Sequence, residues 1–302
     1  MTLSFSHNQP ENTYVIDAES GAEMARLIDQ DRIMTQAMGG LFSEQDDLSS
    51  IFDVLDIGCG PGGWVLDVAH HYPEMEVTGI DISTSMISYA QAYAQVRQLP
   101  NAHFQVMNAV HPLDFPDGSF DLVNARTIAG FLYPENWPSL IAECQRVLRP
   151  GGILRLTELE WGFSNKPGLE TFCALFNQAL ARAGRSFSPT GRHIGVTPML
   201  GRLLWTAGFQ AIRSKVHVLN YSAGTPIYGL AYADCKTGFL LLQPFLISTE
   251  VASQQDIEHL YEQAINEMCA PDFCALSYVL TAWGEVPKAD QVEKEEMILE
   301  TK

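Results

Sequence analysis

Residues 51–72 read IFDVLDIGCGPGGWVLDVAHHY: a short apolar run, a glycine-rich turn from Gly58 to Gly63, then apolar residues at helical spacing. An apolar run of this length, stopped by glycines, is a buried strand, and the segment after the turn is a helix. The same alternation continues outward. EVTGIDIS (76–83) is a strand, Thr84 to Arg97 a helix, and HFQVMN (103–108) and SFDLVNAR (119–126) are strands. Trp137, Leu140, Ile141, Cys144, Val147 and Leu148 mark one helix face, with Pro138 at a tolerated first-turn position. LRPGG then turns the chain into the strand ILRLTEL (153–159). Strands alternating with helices require right-handed crossovers and a mainly parallel sheet covered on both faces.

Upstream, Ser20 and Glu23 have the spacing of a capping box, and Met24, Leu27, Ile28, Met34 and Met38 recur helically until Gly39 and Gly40. Downstream, helices over Leu169 to Ala183 and Pro198 to Ala207 lead to the strand AIRSKVHVL (211–219), and SYVLTAW (277–283) is the last strand. About 55 residues separate these two strands, including a helix marked by Ile257, Leu260, Tyr261, Ala264, Ile265 and Met268. So long a connection with its own helices reads as a cap over the sheet. The organisation expected is therefore an N-terminal capping segment (1–45), a core (46–219), a helical substrate cap (220–275), the last core strand (276–285) and a charged tail (286–302).

The chain has 18 Lys plus Arg against 36 Asp plus Glu, a formal charge of −18, with no basic patch. Such a surface repels phosphate backbones, so neither nucleic acid nor an anionic membrane is an expected partner. The opening MTLSFSHNQPEN has neither a basic start nor an apolar core, and Phe239 to Ile247 is too short and too interrupted to span a bilayer. The six cysteines form no CxxC pair and have no histidine cluster beside them, so no metal is expected. Reduced thiols in a cytoplasmic protein are the reading.

Gly58-Cys59-Gly60-Pro61-Gly62-Gly63 satisfies the G-x-G-x-x-G pattern of dinucleotide sites. Its surroundings argue for a different ligand. Asp56 ends the strand two residues before the first glycine, where its carboxylate would repel a pyrophosphate, and Pro61 removes a backbone N–H that could cradle one. A cation suits this turn, and S-adenosylmethionine carries a sulfonium and an ammonium. Gly58, Gly60 and Gly62 would let the backbone approach its methionine part. Asp81 ends the next strand, 19 residues after Gly62, where a carboxylate can accept from both ribose hydroxyls, and Ile82 offers an apolar surface to adenine. Asp81 could alternatively cap the following helix, a role Ser83 or Thr84 fills better.

VLDIGCGPGG, GIDIS, VMNAV, FDLVNAR and LRPGGIL stand in the order and spacing of the class I S-adenosylmethionine-dependent methyltransferases, which the chain resembles over roughly residues 50 to 160. YVIDAE…AEMARLIDQ and LTAWGEVP resemble the small-molecule branch of that family. The resemblance implies an α/β fold: a Rossmann-like, doubly wound, mainly parallel seven-stranded sheet with an N-terminal helix and the helical cap inserted before the last strand. It implies that Asp56 and the Gly58–Cys59–Gly60–Gly62 turn hold methionine, Asp81 the ribose, and Met86, Asn108 and Ala109 the adenine. Many members have Asp where this chain has Asn108, whose amide oxygen can still accept from the adenine amino group. Arg126 faces the same crevice by resemblance, or forms a surface ion pair. Tyr14 closes over the cofactor, or simply packs.

Candidate bases for methyl transfer are Glu158 and Glu160, after the fifth strand, and His193, in SPTGRHIGVTP (188–198); the other reading is solvated carboxylates and a hydrogen-bonded loop histidine. Tyr133, Tyr228, Tyr232 and Phe239 either pack as core or line an apolar or aromatic acceptor pocket. The expected activity is methyl transfer to a small molecule. A lyase or pericyclic catalyst retaining S-adenosylmethionine is the alternative on the same fold, and a noncatalytic binding module and a nicotinamide oxidoreductase rank below it. Oligomeric state is not readable.

Overall fold

The structure, a computed structural model, describes residues 13–288. Seven strands form one sheet: β1 (Asp53–Ile57), β2 (Glu76–Asp81), β3 (Ala102–Val106), β4 (Phe120–Arg126), β5 (Leu148–Ser164), β6 (Gln210–Asn220) and β7 (Ala275–Glu285). Their spatial order is β3-β2-β1-β4-β5-β7-β6. β1 to β5 pair in parallel, whereas β7 runs antiparallel between β5 and β6. The order reverses between β1 and β4, so a crevice opens above their carboxyl ends, where open α/β sheets bind ligands.

The crossovers carry α2 (Gly63–His71), α3 (Thr84–Arg97) and α4 (Trp137–Val147). Ser83 caps α3, its hydroxyl accepting from the Met86 N–H at 3.2 Å. The N-terminal helix α1 (Gly21–Met38) starts at Ser20, whose hydroxyl accepts from the Glu23 N–H, and stops at Gly39 in the left-handed region. The reciprocal half of the expected capping box is not made. The Glu23 carboxylate, fully buried, instead accepts from Arg26 at 2.6 and 2.7 Å and from the Tyr14 hydroxyl at 2.7 Å.

α5 (Pro167–Arg182), α6 (Leu200–Thr206), α7 (Tyr228–Ser248) and α8 (Gln254–Met268) follow β5. The expected cap is more integrated than a separate segment over 220–275. α7 packs against α1, while α8 packs against α5, which the sequence reading keeps with the core. Arg26 fastens α1 to α7 through Asp234 at 2.8 Å. Residues 1–12 of the capping segment and 289–302 of the tail lie outside the described residues. All six cysteines are free thiols. Among the described residues no helix is long and apolar enough to cross a membrane, and no group of His, Cys, Asp and Glu could hold a metal ion.

Candidate active site

A cleft lies over the carboxyl ends of β1, β2 and β4. Of the cofactor residues expected from sequence, Tyr14, Asp56, Gly58, Cys59, Gly60, Asp81, Ile82, Met86, Asn108, Ala109 and Arg126 all line it. Gly62 does not. It stands at the N-cap of α2 at φ +81°, and a Cβ there would stand 2.7 Å from Phe104 and 2.8 Å from Ala90. Its lack of a side chain serves the packing of the turn on β3 and α3 rather than a ligand's approach.

Asp56 is 3% exposed at the cleft floor, and burial pushes its pKa up to about 7, opposed first by the Arg126 guanidinium. Asp81 is fixed by two backbone donors, Gly60 N–H to Oδ2 and Ser83 N–H to Oδ1, each at 2.9 Å. Each carboxylate oxygen can accept twice, so an acceptor position on both oxygens remains for a diol. Burial also raises Asp81 above the ordinary carboxylate value.

Asn108 brings a donor to the cleft beside the acceptor expected from sequence. Its Oδ1 accepts from the Val110 N–H at 3.1 Å, while the buried Nδ2 has no partner among the described residues. The unpaired amino group is a donor suited to a purine ring nitrogen, and the oxygen keeps a second lone pair that an exocyclic amine could use.

Sequence reasoning missed the wall contributed by α1: Leu27, Gln30, Asp31 and Met34 share one face and line the cleft. Asp31 ion-pairs with Arg126, which also donates to the Thr35 hydroxyl at 3.3 Å and lies 5.8 Å from the centre of the Trp64 ring. The carboxylate also rests against the first residue of α2, where a Cβ on Gly63 would come within 2.5 Å of it. An Asp amid the apolar spacing of Leu27 and Met34 was the available signal. Arg126 thus makes the ion pair and faces the crevice at once. Tyr14 likewise does both: it lines the cleft, and its buried phenol, held protonated by burial, donates to Glu23.

None of the expected catalytic or acceptor-pocket residues reaches the cleft. Glu158 is buried behind it, its Oε1 accepting from the Ile128 and Ala129 N–H groups at 2.8 and 3.1 Å. It fixes the corner after β4. His193 is exposed on its loop. Tyr133 stacks under Arg185, 4.7 Å from the guanidinium carbon. The Tyr228 hydroxyl donates to the Met268 carbonyl at 2.9 Å, and its ring packs near Tyr232 and Phe273. Phe239 is stacked on Phe172 at 3.9 Å in the core. These aromatics hold the helical layer together.

The comparisons with known proteins agree with this geometry. Residues 54–152 match the methyltransferase domain family. A demethylmenaquinone methyltransferase of Listeria welshimeri is 33% identical over 184 residues, spanning 57% of this chain and 75% of that protein. A probable methyltransferase of Aspergillus luteorubrus is 30% identical over 182 residues, 58% of this chain and 62% of the relative. The matches cover 43% and 61% of two methyltransferases of Strobilurus tenacellus. The phosphoethanolamine N-methyltransferase 2 of Haemonchus contortus, solved with S-adenosyl-L-methionine, superposes with a TM-score of 0.54 at 17% identity, covering 89% of this chain and 57% of that one. The chain belongs to the class I S-adenosylmethionine-dependent methyltransferases, and S-adenosylmethionine is its cofactor.

Proposed function

We propose that this enzyme transfers the methyl group of S-adenosylmethionine to a small apolar or aromatic acceptor. The observation that carries the reading is the charge pattern of the cleft. Asp31, Asp56 and Asp81 line it with Arg126 as the one Lys or Arg among its described lining residues. That balance favours a ligand carrying positive charge and one carboxylate. Asp56 faces the ammonium group of the methionine part, Arg126 its carboxylate, and Asp81 the ribose diol. Ile82, Met86 and Ala109 flank the adenine, and Asn108 Nδ2 donates to one of its ring nitrogens. When bound, the cofactor supplies an electrophilic methyl carbon on sulfur.

An apolar acceptor is supported by the rest of the wall, where Leu27, Met34, Trp64 and Phe131 join Tyr14. A relative named for demethylmenaquinone is consistent with such a ring system. Neither Glu158 nor His193 lines the cleft, so in this reading the chain's contribution is alignment of the acceptor and exclusion of water.

Calorimetric titration with S-adenosylmethionine, followed by incubation with a panel of phenols and quinols, tests the reading. Stoichiometric binding and acceptor-dependent release of S-adenosylhomocysteine are expected. Product formed from an acceptor without that release would instead establish the lyase or pericyclic alternative.

A further inference from the structure

A second polar arrangement crosses the sheet face that α1 covers and ends at the cleft. Asp56, Asn124 and Arg155 are register partners on the adjacent strands β1, β4 and β5. Asn124 and Arg155 are wholly buried. Asn124 Nδ2 donates to Asp56 Oδ1 at 2.6 Å, and Arg155 Nη1 donates to Asn124 Oδ1 at 2.6 Å. At its far end Arg155 is gripped by Glu44, in the turn before β1, through Nε and, at 3.2 Å, through Nη2. The Glu44 side chain is as buried as that of Arg155.

Strands buried on both faces are ordinarily apolar runs. Setting polar groups side by side there is costly unless each is satisfied. Guanidinium can only donate, so Asn124 must turn its oxygen to Arg155 and its amino group to Asp56. The amide cannot flip while Arg155 stays. We propose that Glu44, Arg155 and Asn124 are a relay of positioning residues that presents Asp56 to the cofactor's ammonium group as an oriented carboxylate. This rests on the proposed reading in which Asp56 faces that group.

The charge state of Asp56 is balanced closely enough for the relay to matter. Burial pushes its pKa up to about 7. Arg126 of β4 and Arg155 of β5 favour the ionised form, and Asp31 of α1 opposes it. The neighbouring Cys59 thiol is kept protonated by burial. At the far end, Glu44 and Arg155 share their surroundings with His217 and Lys215 of β6, and burial lowers the His217 pKa. Removing the donor to Asp56 disfavours the carboxylate. Neutralising Glu44 leaves the Arg155 charge uncompensated and favours it.

The test is the S-adenosylmethionine Kd of the full chain between pH 5.5 and 7.5, a range in which an α-amino group of pKa about 7.7–8.0 remains mostly charged. Below its midpoint the wild type should lose affinity about tenfold per pH unit. Asn124→Leu and the double variant Glu44→Gln/Arg155→Met should bind about tenfold more weakly near pH 6.5 and recover toward pH 7.5. Glu44→Gln alone should move the other way and retain affinity to lower pH. It preserves side-chain volume, so it decides the question even where the other variants do not fold. Asp56→Asn should bind weakly at every pH. An unshifted Glu44→Gln midpoint, with Asp56→Asn still weakened, overturns the relay and leaves the Asp56 assignment standing. Wild-type affinity in Asp56→Asn removes both.

Discussion

Replacing Glu158 with Gln should make the protein more stable, and increasingly so as pH rises. Burial pushes the Glu158 pKa from 4.5 to about 8, against two backbone N–H donors that favour the charged form. Below pH 4.5 the folded and unfolded chains both carry the proton. Between there and about pH 8 the folded protein holds a proton that the unfolded chain has released, so stability falls with rising pH and levels off above about 8. Each pH unit in that window is worth about 1.4 kcal/mol. The wild type therefore loses about 3 kcal/mol by neutrality and about 5 kcal/mol in full from this group.

Gln keeps the Oε1 acceptor for Ile128 and Ala129 and does not titrate. Urea unfolding of both proteins at pH 5, 7 and 9 reads the difference, because other titrating groups cancel in the comparison. Glu158→Gln should lie within about 1 kcal/mol of wild type at pH 5 and gain several kcal/mol by pH 9. A difference that is constant across the three pH values would refute the assignment of a neutral, buried Glu158. Methyl-transfer activity in the variant should change by less than a few-fold, since the carboxyl group does not line the cleft. A loss of about 10²-fold or more would restore it as a base.

Gly62→Ala should cost about 2–4 kcal/mol, combining a left-handed backbone at φ +81° with a methyl group 2.7 Å from Phe104; an unchanged melting temperature would contradict the packing argument. Asn108→Ala should weaken S-adenosylmethionine binding about 5–30-fold by deleting the unpaired donor, measured by calorimetry. Equal affinity in that variant would show that Nδ2 faces no ligand. Arg26→Met leaves the buried Glu23 and the half-buried Asp234 without their cation and should cost about 3–5 kcal/mol in denaturant unfolding. A cost below about 1 kcal/mol would mean that those carboxyl groups take up protons without penalty.

The parallel half of the fold was legible because its signals are local. VLDIGCGPGG confines a strand, a turn and a helix start to ten residues, and the glycines leave few conformations open. The cofactor-facing residues inherit their positions from that geometry, since Asp56 and Asp81 end adjacent strands. The aromatic residues of α7 were not legible in the same way. Tyr228 and Tyr232 are one helical turn apart, which fixes that they share a face but not what that face meets. Tyr228 meets Phe273, placed by a loop 45 residues further along the chain.

β5 shows why the polar residues of a central strand mislead. Leu154-Arg155-Leu156-Thr157-Glu158-Leu159-Glu160 alternates apolar and polar positions up to Thr157, the pattern of a half-exposed strand, yet β5 is covered on both sides. Period two then puts Arg155 and Thr157 on the α1 face and Glu158 and Glu160 on the other. Each polar group is satisfied by a segment distant in sequence: Arg155 by Glu44 and Asn124, Thr157 by Thr281, Glu158 by Ile128 and Ala129, Glu160 by Ile194 and Gly195. A carboxylate on a buried strand looks the same in sequence whether it meets a ligand or a backbone N–H. Asp56 and Glu158 differ in that the loop after β1 leaves the crevice open over the first, while the corner after β4 closes over the second.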